Sequence, residues 1–200
     1  MIRRVVIALS FFALILILAP TALRTYHLAS TANGLTTIAL LGPNDWTLNP
    51  FSINGLFISP DAAMWLLLHT NFPYRPCPAT VPLCEVPVVS FVGGALQNGS
   101  PQISARAFIL LEHFIKRGGQ VNIKHVGLTP LHQAVLFADE RYLNVLLDAG
   151  ADVGIRADES AESAAGLTPY EYCVELEIKR SGQCSRICEI LSKRGLLRKQ

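Results

Sequence analysis

The sequence predicts an all-helical protein in which short helix pairs are stacked in series behind one apolar N-terminal helix. Three observations point there. An uncharged run from Val5 to Leu23 is bounded by Arg3 and Arg4 on one side and Arg24 on the other. The segments Gly127-Leu128-Thr129-Pro130 and Gly166-Leu167-Thr168-Pro169 repeat the same helix-opening tetrapeptide, with a hydroxyl residue to cap the first turn and proline where a missing N–H costs nothing. Helical runs also close on glycine at Gly118 and again, 32 residues later, at Gly150, where a left-handed exit is easiest for glycine.

Composition divides the chain. Half of its 200 residues are apolar, and only four of the 17 Lys/Arg and three of the 15 Asp/Glu lie in residues 1–104. The front is apolar and proline-rich, and the back is charged and helical. The net charge of +2 is spread over mixed signs, without the basic stripe and interleaved aromatics of a nucleic-acid surface, so no nucleic-acid partner is expected.

Residues 5–23, at 1.5 Å of rise each, span roughly the ~30 Å hydrocarbon core of a bilayer. A cleaved signal peptide has a shorter apolar region followed directly by a small-x-small site. Here the nearest such site, Ser30-Thr31-Ala32, lies well past Arg24, which favours an uncleaved anchor over residues 1–24, with cleavage and secretion as the alternative. Pro20 is tolerated in a membrane span. Arg3 and Arg4 favour an inside N-terminus, which places the rest of the chain outside the cytoplasm, in a bacterial setting as a single-pass inner-membrane protein facing the periplasm. The cysteines fit that placement: Cys77 and Cys84 flank a proline-rich loop that a disulfide would restrain in an oxidising compartment. Their spacing is not that of a zinc site, and no metal or cofactor is expected.

Residues 25–58 read as a linker and irregular lead-in. Ser59-Pro60-Asp61 then opens a helix of about ten residues that ends near Asn71, with Trp65 expected to pack under the cysteine loop. Pro87 to Leu96 reads as a poor first helix weakened by Gly93-Gly94, and Asn98 to Pro101 as a turn. From Ile103 to Arg117, Ala107, Leu110, Leu111, Phe114 and Ile115 recur at helical spacing.

Thr129-Pro130-Leu131-His132-Gln133-Ala134 matches the T-P-L-H-x-A signature of the ankyrin repeat, a helix pair with a hairpin loop at a period of about 33 residues. The chain resembles that family over residues 59–200. Leu110 to Asn122 is similar to the second helix and exit loop of a repeat. Gly166 to Cys173 reopens the motif 39 residues after Gly127, which places an insertion of about six residues in the polar run Ala157 to Ala164. The last helix runs from Cys184 to Arg194, with Gly195 as its stop. The resemblance implies a solenoid of about three repeats: a divergent cap and first repeat over 59–126, a central repeat over 127–156 and a C-terminal capping repeat over 166–195. It also implies a structural, hydrogen-bonding role for His132. Glu171 and Tyr170 stand where the motif has His and Leu, as suits a terminal repeat. Cys173 aligns with the core position of Ala134 and Cys188 with that of Leu143. Folding the last two helices together about residues 180–181 brings them opposite, so a second disulfide is expected there, with Cys184 as the odd thiol.

Ankyrin arrays bind proteins through hairpin tips and the exposed faces of first helices. Carried over by position, that surface is His125, Val126, Leu128, Leu136, Phe137 and Arg141 in the central repeat, then Arg156, Ala165, Leu167, Glu175 and Leu176 in the next, beside the acidic insertion. The resemblance therefore implies a membrane-tethered module that binds, and inhibits or stabilises, a protein partner outside the cytoplasm: an immunity protein against a secreted toxin, or an accessory factor of a periplasmic enzyme. The alternative is an enzyme or toxin with its activity in residues 45–100. Against it, Asp45, Asp61 and Glu85 form no spaced acid pair, and no glycine-rich phosphate loop follows a strand. No small-molecule substrate is expected.

Overall fold

Capping side chains set where the helices begin. In the computed structural model, which describes residues 2–42, 55–71, 74, 86–98, 100–180, 182 and 184–197, Thr31, Ser59, Ser100, Thr129 and Asp139 each accept a hydrogen bond from the amide three residues on. Each thereby satisfies one of the unpaired first-turn donors. Among the described residues every regular element is helical, with two isolated bridges, His125–Leu128 and Ala157–Ala165. The loop carrying Cys77 and Cys84 lies outside the described residues. The chain forms two compact units, Met1–Glu85 and Val86–Gln200.

In the first unit, α1 (Ile2–Ala29) carries Pro20 within it, and its stretch Phe12–Ala29 is long and apolar enough to cross a membrane, as an anchor or a signal sequence would be. The lead-in expected to be irregular over residues 25–58 contains a further helix, α2 (Ala32–Ala39). Asn33, Gly34, Thr36 and Thr37 are poor helix formers, so this helix owes its existence to packing rather than propensity. Leu35 and Ile38 are fully buried, and a Cβ at Gly34 would lie 2.0 Å from the Leu28 carbonyl oxygen, so only glycine lets α2 approach the end of α1. Helix α3 (Pro60–His69) packs on α2 through Ala63 and Leu67. It therefore lies in the first unit, not with the later helices with which its sequence grouped it. Trp65 is 57% exposed and stacks on His69 at 5.3 Å between ring centroids.

The second unit is built from helix pairs: α4 (Val88–Asn98) with α5 (Pro101–Lys116), α6 (Pro130–Leu136) with α7 (Glu140–Asp148), and α8 (Pro169–Arg180) with α9 (Ser185–Leu197). The pairs stack in series, with α6 between α4 and α8, and α7 beside α9. Leu110, Leu111, Leu131, Ala134, Val135, Leu143 and Leu146 form a continuous core without exposure. The exits of α5 and α7 are the same motif. Gly118 and Gly150 take φ of 88° and 83°, and the next amide donates five residues back, Gly119 to Phe114 at 2.8 Å and Ala151 to Leu146 at 2.9 Å, the Schellman arrangement. Gly195 does not end α9, which continues to Leu197; glycine permits a left-handed exit without imposing one. The long spacing of the last pair lies in its first helix, since α8 has 12 residues against 7 in α6.

Gly93 does more than weaken α4. A Cβ there would stand 2.2 Å from the Tyr142 hydroxyl oxygen. The fully buried Tyr142 of α7 lies over it and donates to the Val89 carbonyl at 3.4 Å. Burial holds the Tyr142 phenol neutral, far above its ordinary range.

Candidate protein-interaction surface

Between α5 and α6 the chain makes a two-residue turn. His125 and Leu128 exchange both backbone hydrogen bonds, at 2.8 and 3.1 Å, across Val126 and Gly127, which have φ of 50° and 75°. Left-handed conformation at both central residues is the turn that matches a tight hairpin, and a β-branched residue is rare there. Val126 at its apex is 68% exposed. Successive loops are tied together: the Asp152 amide donates to Asn122 Oδ1 at 2.8 Å, the Asp158 amide to the Gly127 carbonyl at 2.9 Å, and Lys124 pairs with Asp158. The inserted residues fold against this turn as a 3-10 segment, Glu159–Ala164. They come so close that a Cβ on Gly127 would lie 2.6 Å from Ser160 Oγ.

His132 joins two helix pairs. The imidazole has no exposed surface. Its Nε2–H donates to the Leu167 carbonyl at 2.9 Å, while Nδ1 accepts from the Thr129 hydroxyl at 2.7 Å. The same hydroxyl oxygen accepts from the His132 amide, so cap, ring and the next loop form one chain of bonds. Burial pushes the ring below its ordinary pKa, against the Leu167 bond that raises it. No catalytic group is required to explain this histidine.

The equivalent position in the last pair is Glu171, and its different bonding explains the different residue. The Glu171 carboxylate accepts from the Thr168 amide at 2.8 Å, and the Glu171 amide donates back to Thr168 Oγ1 at 3.3 Å, a reciprocal capping box. Arg156 holds the same carboxylate at 2.9 and 3.3 Å and also donates to the Gly166 carbonyl. The Thr168 amide bond lowers the Glu171 pKa more than any other influence. Where His132 reaches forward to the next loop, Glu171 turns back on its own helix.

No family model, curated protein or solved structure matches this chain.

The surface carried over from the repeat pattern is only partly a surface. Val126 projects into solvent, and His125, Leu128, Leu136, Phe137, Ala165 and Leu167 are half-buried. Arg141 and Arg156 are exposed but engaged, Arg141 with its guanidinium 3.8 Å from the centre of the Phe108 ring. Glu175 pairs with Lys179 at 2.5 Å. Leu176 is not on the surface: it is 5% exposed, because α8 turns Tyr172, Cys173 and Leu176 inward together. Cys173 and Cys188 stand at disulfide distance, with Cα atoms 5.6 Å apart, as their alignment predicts. Cys184 is buried, and its amide donates to the Glu177 carboxylate at 2.7 Å.

A different set of residues forms an exposed apolar stripe on α8. Tyr170, Val174 and Ile178, spaced four apart on one face of α8, are 42%, 39% and 78% exposed. Aligning Thr168 with Thr129 places Tyr170 and Val174 at the positions of Leu131 and Val135, both without exposure on α6. Helix α6 has a helix pair on each side, whereas α8 has one on one side only among the described residues. The sequence signal was the 39-residue offset itself, which maps Tyr170 and Val174 onto core positions of α6.

Proposed function

We propose that this chain is an ankyrin-type protein-binding module, tethered by α1 to a membrane with its helix pairs outside the cytoplasm, in bacteria in the periplasm. The partner docks at the open end of the stack. The observation that carries this reading is the stripe Tyr170–Val174–Ile178, since a contiguous exposed apolar patch marks an interaction site more often than an accident. The equivalent face of α6 is sealed by helices, so the fitting occupant is a partner helix laid along α8 with apolar residues at matching spacing. The Schellman exits 32 residues apart and the His132 bond to the next loop support the ankyrin resemblance. The disulfide-distance pair Cys173–Cys188 suits an oxidising compartment. An immunity protein and an accessory factor both fit such a module.

Photo-crosslinking tests the proposal. A photoreactive residue at Ile178 of the full chain in its native membrane should trap one discrete protein adduct, and the same residue at the exposed Lys193 should not. Equal labelling from both positions, or none from either, would sink the docking site. Protease accessibility of the second unit in sealed spheroplasts tests the topology: degradation from outside is expected, and protection would place the module in the cytoplasm.

A further inference from the structure

We propose that the part of the first compact unit that follows the span of α1 is a collar seated on the lipid surface, with Tyr26 and Phe57 in the headgroup layer of the bilayer that α1 crosses. The inference rests on the anchor reading of α1 and goes beyond it, because it assigns residues outside the span a lipid partner. The apolar run of α1 ends at Leu23, which is 59% exposed, and one turn later Tyr26 is 68% exposed. Three residues of helix rise about 4.5 Å. If residues 5–23 fill the hydrocarbon core, Tyr26 stands within the interfacial layer, which is about 5–7 Å deep on each side.

Phe57 reaches the same level by a separate route. Its amide donates to Thr25 Oγ1 at 3.1 Å, while that hydroxyl donates to the Thr21 carbonyl at 2.8 Å. The bond fixes Phe57, distant in sequence, beside the last turns of α1, where its ring is 45% exposed.

The two faces of this part of α1 differ. Thr21, Thr25 and Ala29, spaced four apart, are at most 9% exposed, so one side of the helix end is covered by protein. The other side presents Leu23, Arg24 and Tyr26. Aromatic rings and a cationic side chain at the boundary are what the interfacial layer accommodates, and Arg24 can extend its charge toward the headgroups from there. Arg24 is the residue that closes the apolar run, so the charge and the ring levels agree on the depth of the boundary.

Depth-dependent fluorescence quenching decides the matter. The full chain is reconstituted in phosphatidylcholine–phosphatidylglycerol vesicles whose acyl chains carry bromine either near the headgroup or near the methyl end. Both natural tryptophans are replaced (Trp46→Phe, Trp65→Phe), and one reporter is introduced, Phe57→Trp or, as the control, Ile15→Trp. The expected result is loss of most Phe57→Trp emission to shallow bromine with little loss to deep bromine, and the reverse for Ile15→Trp. Ile15→Trp quenched by deep bromine while Phe57→Trp is quenched by neither lipid would overturn the collar and leave the anchor standing. No quenching at either position would overturn both. Unchanged helical circular dichroism identifies the folded samples.

Discussion

Replacing His132 with alanine tests most sharply how the helix pairs are held in series. The ring has no exposed surface and makes two side-chain hydrogen bonds, to Thr129 and to the Leu167 carbonyl. Each contributes about 1 kcal/mol net. Emptying the ring volume adds about 1–2 kcal/mol of cavity cost, so a loss of about 3–4 kcal/mol is expected. The assay is urea unfolding of the full chain in detergent micelles, read by hydrogen-exchange protection of the α6 and α8 amides. A loss under about 1 kcal/mol, near the scale of a surface substitution, would refute the linking role. The pH dependence adds a second test. Burial holds the folded ring below its ordinary value of 6.5, so below about pH 6.5 the unfolded chain binds more protons and stability is lost as the pH is lowered. Above that value the contribution is fully present. Above about pH 5, where the carboxylates have ceased to titrate, the wild-type slope should vanish in His132→Ala, and a slope that survives there would assign the titration to another group.

Three further outcomes follow from the same packing. Gly93→Ala should destabilise the second unit by about 1–3 kcal/mol, measured by urea unfolding, because its Cβ would overlap the Tyr142 ring; a neutral result would mean that Tyr142 is not seated there. Ala138→Gly should stabilise by up to about 1 kcal/mol, since Ala138 holds φ of 54° between α6 and α7; a stability loss in the same titration would contradict that conformation. Reduction of the Cys173–Cys188 pair, 15 residues apart in sequence, should cost about 3 kcal/mol, and non-reducing peptide mapping should recover the two cysteines in one linked fragment.

Much of the second unit was legible because its signals are local. Thr129 caps α6 where its residue type says it does, and Gly118 and Gly150 exit left-handed in the same register. The Cys173–Cys188 pairing followed from aligning two core positions. Features that depend on neighbours far along the chain were not legible. Helix α2 has weak propensity and exists through the burial of Leu35 and Ile38. Gly93 looked like a helix weakness because Tyr142, which needs its space, is 49 residues away. Leu176 and Val174 are both apolar residues on one helix; only the position of α9, and the open side of α8, makes the first core and the second surface. Val126 was legible as a tip residue, since a turn apex has no neighbour to cover it.

Binding of the partner measures the open face of α8 most directly. Full-length chain and its Ile178→Asp variant, matched by circular dichroism, are titrated against the protein trapped from native membranes. At least about tenfold weaker binding is expected for the variant, the scale of a hot-spot residue in a packed interface. Equal affinity would overturn the α8 docking face and return the interface to the Val126 loop tips or elsewhere.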